Sequence, residues 1–194
     1  VQFLKFLLKL DQNYAPFELL GLETFVEKHM ELHPNPGRKL KLRVGGIIDR
    51  MDKKDETIRI CDYKTGGKAE SASFDKGLFK SDQKRNRHVF QTFLYAGIVK
   101  DQYPASMVKP ELVYIHQAGK PDYSSDIVVK KSENSGAKTN VNNVVNDFGE
   151  FKETFETELQ NVIGELFDPA VSFDQTTVFK TCEHCDFNTI CRRK

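Results

Sequence analysis

Apolar and polar positions alternate in two adjoining blocks, Leu40 to Met51 and Thr57 to Lys64, on either side of the charged segment Lys53-Lys54-Asp55-Glu56. Strand, polar turn, strand is the pattern of a β-hairpin. Upstream, Val1 to Leu10 is apolar with Lys5 and Lys9 four residues apart, which predicts a core-facing helix ended by Asp11-Gln12-Asn13 and Pro16. Phe17 to Leu32 suits either a helix or an edge strand, and His33-Pro34-Asn35-Pro36-Gly37 is a turn. Beyond the hairpin, Lys68 to Leu78 reads as a loop. Phe90, Phe93, Leu94, Gly97 and Ile98 then recur at helical spacing. Pro110 to Gln117 and Tyr123 to Lys130 are strand candidates, and Lys131 to Asn143, poor in apolar residues, is a loop. A last helix is predicted over Val144 to Phe167, where Phe148, Phe151, Phe155, Leu159, Val162, Ile163 and Leu166 recur at steps of three and four before Asp168-Pro169.

A length of 194 residues suits one domain with a sizeable core, and 29% charged against 39% hydrophobic residues is ordinary for a globular protein. A net charge of +1 gives no global attraction to nucleic acid, so any such contact rests on local patches. No apolar run is long enough for a transmembrane helix, and the N-terminal run lacks the small-residue cleavage site of a signal peptide. A cytoplasmic location without membrane contact is therefore expected. The chain begins at Val1, and the expectation is a fragment of a larger protein.

The chemistry gathers on the hairpin. With all four charged residues in the turn, Met51 lies near Ile58, Asp49 lies opposite Ile60, and Asp62 is the diagonal neighbour of Asp49 on one face. Lys64 follows at the strand period and shares that face. Two carboxylates beside one ammonium suit Mg²⁺ or Mn²⁺, which take oxygen ligands, with the lysine to orient water or offset developing negative charge. The plainer alternative is a surface hairpin with scattered charges. Lys80 to His88 is the densest basic run; its Lys80, Lys84, Arg85 and Arg87 suit phosphate contact or a solvated helix face. Gln91 and Tyr95, four apart, share a helix face. Glu18, Glu23, His29, His33 and His116 read as solvated or structural rather than catalytic. Three of the four cysteines, Cys182, Cys185 and Cys191, fall within ten residues, a clustering that suggests a metal or cluster site rather than a disulfide framework.

Gly45-Gly46-Ile47-Ile48-Asp49-Arg50-Met51-Asp52, followed by Asp62-Tyr63-Lys64-Thr65-Gly66 and then Gln91-x-x-x-Tyr95, resembles the RecB-like branch of the PD-(D/E)XK nucleases, which includes AddB-type helicase–nucleases and CRISPR-associated nucleases. The resemblance runs from Leu40 to the C-terminus. It implies an α/β fold with a restriction-endonuclease-like core, a mixed central sheet flanked by helices. It also favours a strand around Leu22–Met30 as the first of three antiparallel ones. Metal ligands are then Asp49, Asp62 and the Tyr63 carbonyl; Lys64 acts on the attacking water, and Gln91 and Tyr95 position phosphate or water. The implied function is Mg²⁺-dependent DNA hydrolysis, as an exonuclease module of a repair or recombination helicase–nuclease. The rival reading is a DNA clamp or scaffold that keeps the fold without the chemistry. Relatives carry a similar cysteine triplet, completed to a 4Fe–4S cluster by a distant N-terminal cysteine. Cys61, on the strand face opposite Asp62, does not supply it, so the cluster is expected only in a full-length protein; a zinc-binding tail is the alternative. Relatives also take a metal ligand from an upstream helix, whereas Val1–Leu10 has no His, Asp or Glu, which leaves Glu18 or Glu23 as weak substitutes. Without its cluster, the tail is expected to be poorly ordered or held only by packing of Phe179 and Phe187.

Overall fold

A computed structural model describes residues 2–35, 38–67, 72, 78–79, 86–130, 142–183 and 185–193. The elements run α1 (Gln2–Tyr14), β1 (Glu18–Asn35), β2 (Arg38–Lys54), β3 (Thr57–Lys64), α2 (Arg87–Gln102), β4 (Met107–Tyr114), β5 (Val128–Lys130), β6 (Asn142–Val144) and α3 (Lys152–Phe167). The main sheet has the order β1-β2-β3-β4. β1, β2 and β3 pair antiparallel, and β4 joins β3 in parallel after the crossover through α2, so the sheet is mixed as expected. β4 is an edge, which accommodates Pro110 opposite Ile60 despite its missing N–H.

The β2–β3 turn is tighter than the four charged residues imply. Lys53 pairs with Ile58 and Lys54 with Thr57, leaving only Asp55-Glu56 as the connection. Asp55 has φ 53°, the left-handed conformation that two-residue hairpin turns demand and that Asp tolerates better than most residues. Met51 therefore pairs with Ile60, not Ile58, and the last ladder pair is Arg50 with Cys61. One further step places Asp49 level with Asp62 rather than with Ile60. A two-residue shift leaves each side chain on its own face, so the two carboxylates still converge.

Other boundaries move for local reasons. α1 continues past Asp11 to Tyr14, because Asp11 turns inward to an ion pair instead of capping. β1 spans Glu18–Asn35, longer than the strand expected over Leu22–Met30. Within Tyr123–Lys130 only Val128–Lys130 is a strand; the Tyr123 hydroxyl accepts from the Tyr114 N–H at 2.9 Å. The expected last helix begins instead as β6, passes through a 3₁₀ turn at Phe148–Glu150 and turns helical at Lys152. Asp147 makes that break, its Oδ1 accepting from the N–H groups of Val108 at 3.0 Å and Gly149 at 2.9 Å.

The core lies on the sheet face covered by α2 and α3. Phe93, Phe148 and Phe155 are fully buried and meet edge to face, with centroids 5.2 to 5.9 Å apart. α2 starts where Asn86 accepts from the Val89 N–H at 3.3 Å and buries Val89, Phe93, Ala96 and Val99 along one side. α1 lies on the opposite face and buries none of its residues completely.

Candidate active site

The β2–β3 ladder stops at the site. Where a backbone pair would follow Arg50 and Cys61, the Asp49 carboxylate takes over, its Oδ2 accepting from the Tyr63 N–H at 2.7 Å. Asp62, one residue earlier on β3, is 2% exposed. Its Oδ2 is buried, in ion contact with Lys64 Nζ, and receives no hydrogen bond of ordinary geometry. Burial raises the Asp62 pKa, the Lys64 ammonium opposes that rise, and the Asp49 charge adds to it. Two neighbouring carboxylates, one of them buried and paired with a single ammonium, are costly in the bare protein and are relieved by a cation. The donors are all oxygen, the set that Mg²⁺ and Mn²⁺ accept, so the residues present fit such an ion.

α2 supplies the second wall. Lys64 Nζ donates to Gln91 Oε1 at 3.3 Å, and Gln91 Nε2 donates to the Tyr95 hydroxyl at 3.0 Å. Tyr95 lies directly over Gly46 of β2, whose missing side chain leaves the space for its ring. Gly46 and Arg50 are four apart and would share a face of a regular strand. Yet Gly46 meets α2, while Arg50 reaches α1 on the other side. The strand thus changes face between them, at the level of Glu23 on β1, a non-glycine residue with φ 46°. That twist lets Gly46 and Asp49 face the same site.

Asp49, Asp62, Lys64, Gln91 and Tyr95 are thereby brought into one neighbourhood. Tyr63 contributes its backbone there, and its side chain points to the other face, where its hydroxyl accepts from Arg50 Nη1 at 3.3 Å. Arg87 is exposed in the first turn of α2; Lys80, Lys84 and Arg85 lie outside the described residues. Glu18, Glu23, His29 and His33 are exposed, and among the described residues no group of three His, Cys, Asp or Glu gathers as for a metal ion. Cys182, Cys185 and Cys191 are unpaired and half-buried. Cys61 is 2% exposed beneath α1, where burial pushes its thiol pKa well up. The described residues therefore do not fit a four-thiolate cluster. Phe179 and Phe187, expected to pin the tail, are 69% and 65% exposed. Arg193 instead ties the tail to itself, over the Phe179 ring and to the Thr176 carbonyl at 2.6 Å.

Sequence reasoning assigned no role to Gly46 or to the ion network on the far face. A glycine inside a strand is the available signal for the first, since it marks close approach. For the second, the signal is Asp52 and Arg59 at cross-strand positions. Arg59 forks onto Asp52, Nε to Oδ1 at 3.0 Å and Nη2 to Oδ2 at 2.8 Å, with both residues buried.

A family model described as the PD-(D/E)XK nuclease superfamily matches residues 2–192. Searches of curated proteins and of solved structures gave no significant match.

Proposed function

The chain belongs to the PD-(D/E)XK nuclease superfamily, and from that premise we propose that it hydrolyses DNA phosphodiester bonds with Mg²⁺ or Mn²⁺. The observation that carries this reading is the buried Asp62 carboxylate, paired to Lys64 and level with Asp49 across the hairpin. Asp49, Asp62 and the Tyr63 carbonyl would hold the cation, which when bound supplies Lewis-acid polarisation of a phosphoryl oxygen. Lys64, held between Asp62 and Gln91, orients the attacking water and offsets charge in the transition state. Gln91 fixes Lys64 on one side and Tyr95 on the other. Because Tyr95 accepts from Gln91, its own O–H is left to donate to a phosphate oxygen. Arg87, with Lys80, Lys84 and Arg85, contacts flanking phosphates without reading sequence.

The finer reading is an exonuclease of the RecB-like branch, attached to a DNA repair helicase in cis or in trans. The order of the Gly-x-x-Asp, Asp-Tyr-Lys and Gln-x-x-x-Tyr motifs supports it. The cytoplasm is the proposed compartment, since its reducing poise suits four unpaired cysteines. Among the described residues no helix is long and apolar enough to cross a membrane. The cysteine triplet is proposed as part of an iron–sulfur site completed in a full-length protein. Linear and covalently closed DNA, incubated side by side with Mg²⁺, test the exonuclease reading. Mononucleotide or short products from the linear DNA alone are expected, and nicking of closed circles would replace exonuclease with endonuclease action. Binding without any cleavage, under conditions that load the metal, would favour the clamp.

A further inference from the structure

Arg50 and Asp52 stand inside the Gly-x-x-Asp-Arg-x-Asp motif, yet both side chains are buried on the sheet face away from the carboxylate pair. There they join a network that reaches α1. Arg50 Nη1 donates to both Asp11 oxygens, at 2.9 and 2.8 Å, and Arg50 Nε pairs with Asp52 at 2.9 Å. The Phe17 ring lies 4.8 Å from the Arg50 guanidinium, and the Tyr14 ring 3.7 Å from that of Arg59. Lys54 Nζ donates to the Tyr14 carbonyl at 2.5 Å. α1 has no fully buried residue of its own and is held by these charged and aromatic contacts together with the half-buried Phe6, whose ring lies against Gly119, and Leu7.

The same guanidinium touches the site from behind. Arg50 Nη1 donates to the Tyr63 hydroxyl at 3.3 Å, and the Tyr63 N–H is the donor that fixes Asp49 at 2.7 Å. A continuous path of hydrogen bonds and one residue's own backbone therefore runs from Asp11 through Arg50 and Tyr63 to the Asp49 carboxylate. It acts where the β2–β3 ladder has ended and backbone pairing no longer sets the separation of the strands. A cavity of about 310 Å³ between α1 and the sheet, lined by Asp11, Tyr14, Arg59, Cys61 and Tyr63 among others, leaves this contact thinly packed. The Tyr63 backbone is paired with Val113 of β4, and on the β2 side the ionic path holds the Tyr63 hydroxyl and Arg50, the residue next to Asp49.

We propose that α1 is a positioning element for the active site, with Asp11, Arg50 and the Tyr63 hydroxyl as positioning residues that orient Asp49 from the opposite face of the sheet. The proposal rests on the reading of Asp49 and Asp62 as the cation-binding pair. Partners that orient a metal ligand from outside its coordination sphere commonly matter by about 10–100-fold in metal affinity or activity.

The test is Mn²⁺ binding to the full chain by titration calorimetry, with melting temperature recorded in chelator. Asp11→Asn and Tyr63→Phe are expected to weaken Mn²⁺ binding by about 10-fold, and Asp11→Glu to recover part of the loss. Turnover of both weakened variants should return towards wild type as Mn²⁺ is raised. Asp11 is 33% exposed, and the melting temperature in chelator shows whether each variant is folded before its Mn²⁺ binding is compared. Variants that melt earlier but bind Mn²⁺ as tightly as wild type would give the network a structural role only and overturn the proposal. Asp49→Asn is the reference. If it too leaves Mn²⁺ binding unchanged, the metal-site reading itself has failed and the proposal falls with it. If Asp49→Asn alone weakens binding, the site stands and only the positioning role is lost.

Discussion

Adding one methyl group at Gly46 tests how the two walls of the site are fitted together. A Cβ there would lie 2.4 Å from the Tyr95 hydroxyl oxygen, 2.9 Å from its Cε1 and 3.0 Å from its Cζ. Gly46 is not among the residues with positive φ, so the conflict is one of space and not of backbone strain. Tyr95 is 5% exposed, on a helix whose other side is locked into the core, and has little room to retreat. Overpacking of this kind costs about 1–3 kcal/mol, and each kcal/mol lowers the melting temperature of a chain this size by about 2–4 °C. If Tyr95 instead tilts away, the Gln91 hydrogen bond goes with it and Lys64 loses its anchor, so turnover falls. Thermal melts in chelator and single-turnover DNA cleavage, on Gly46→Ala and on Gly46→Ala with Tyr95→Phe, separate the two routes. Phenylalanine removes the atom at 2.4 Å and leaves the two ring contacts, so it should return only part of the stability. The pair should couple by about 0.5–3 kcal/mol, as contacting residues do. A Gly46→Ala protein with wild-type melting and turnover, or strict additivity with Tyr95→Phe, would refute the close approach.

Asp52→Ala should be among the most damaging single substitutions, costing about 3–5 kcal/mol in urea unfolding, because Arg59 is left buried without its forked partner; a loss under about 1 kcal/mol would show that the pair behaves as an exposed one. The raised Asp62 pKa sets a pH dependence: its contribution to stability is present below the ordinary aspartate value of 3.8 and is lost as pH rises through the higher folded value. Metal-free Asp62→Asn should therefore gain on wild type as pH rises through that window, and a difference independent of pH would remove the argument. Lys64→Ala should lower the single-turnover rate far more than DNA affinity, whereas Arg87→Ala should weaken binding across sequences and flatten its dependence on salt. The reverse pattern in gel-shift and quench assays would exchange their roles.

The hairpin, α2 and the convergence of Asp49, Asp62, Lys64, Gln91 and Tyr95 were legible in the sequence because strand and helix periods are local, and because a register error of two residues conserves faces. What was not legible depended on tertiary contacts. Nothing in Asp147 itself announces that its carboxylate will bond Val108, 39 positions away, and stop a helix that periodicity carries back to Val144. Nor does the alternation of β2 betray the change of face between Gly46 and Arg50, which shows only in what each residue meets, Tyr95 on one side and Asp11 on the other. Asp11 looked like a helix terminator because its partner, Arg50, is distant in sequence. The motif letters Arg50 and Asp52 drew attention through resemblance, and only the structure assigns them to the face behind the site.

Cleavage of end-labelled duplex DNA by the full chain, with Mg²⁺ and with excess chelator, alongside Asp49→Asn and Asp62→Asn, tests the central claim most directly. Both variants should keep the wild-type circular dichroism spectrum, since each relieves repulsion between neighbouring carboxylates. The account predicts cleavage by wild type in Mg²⁺ only, and none by either variant. Cleavage that survives chelation, or wild-type rates from a folded Asp62→Asn protein, would contradict the assignment of Asp49 and Asp62 as the metal-binding centre of a nuclease.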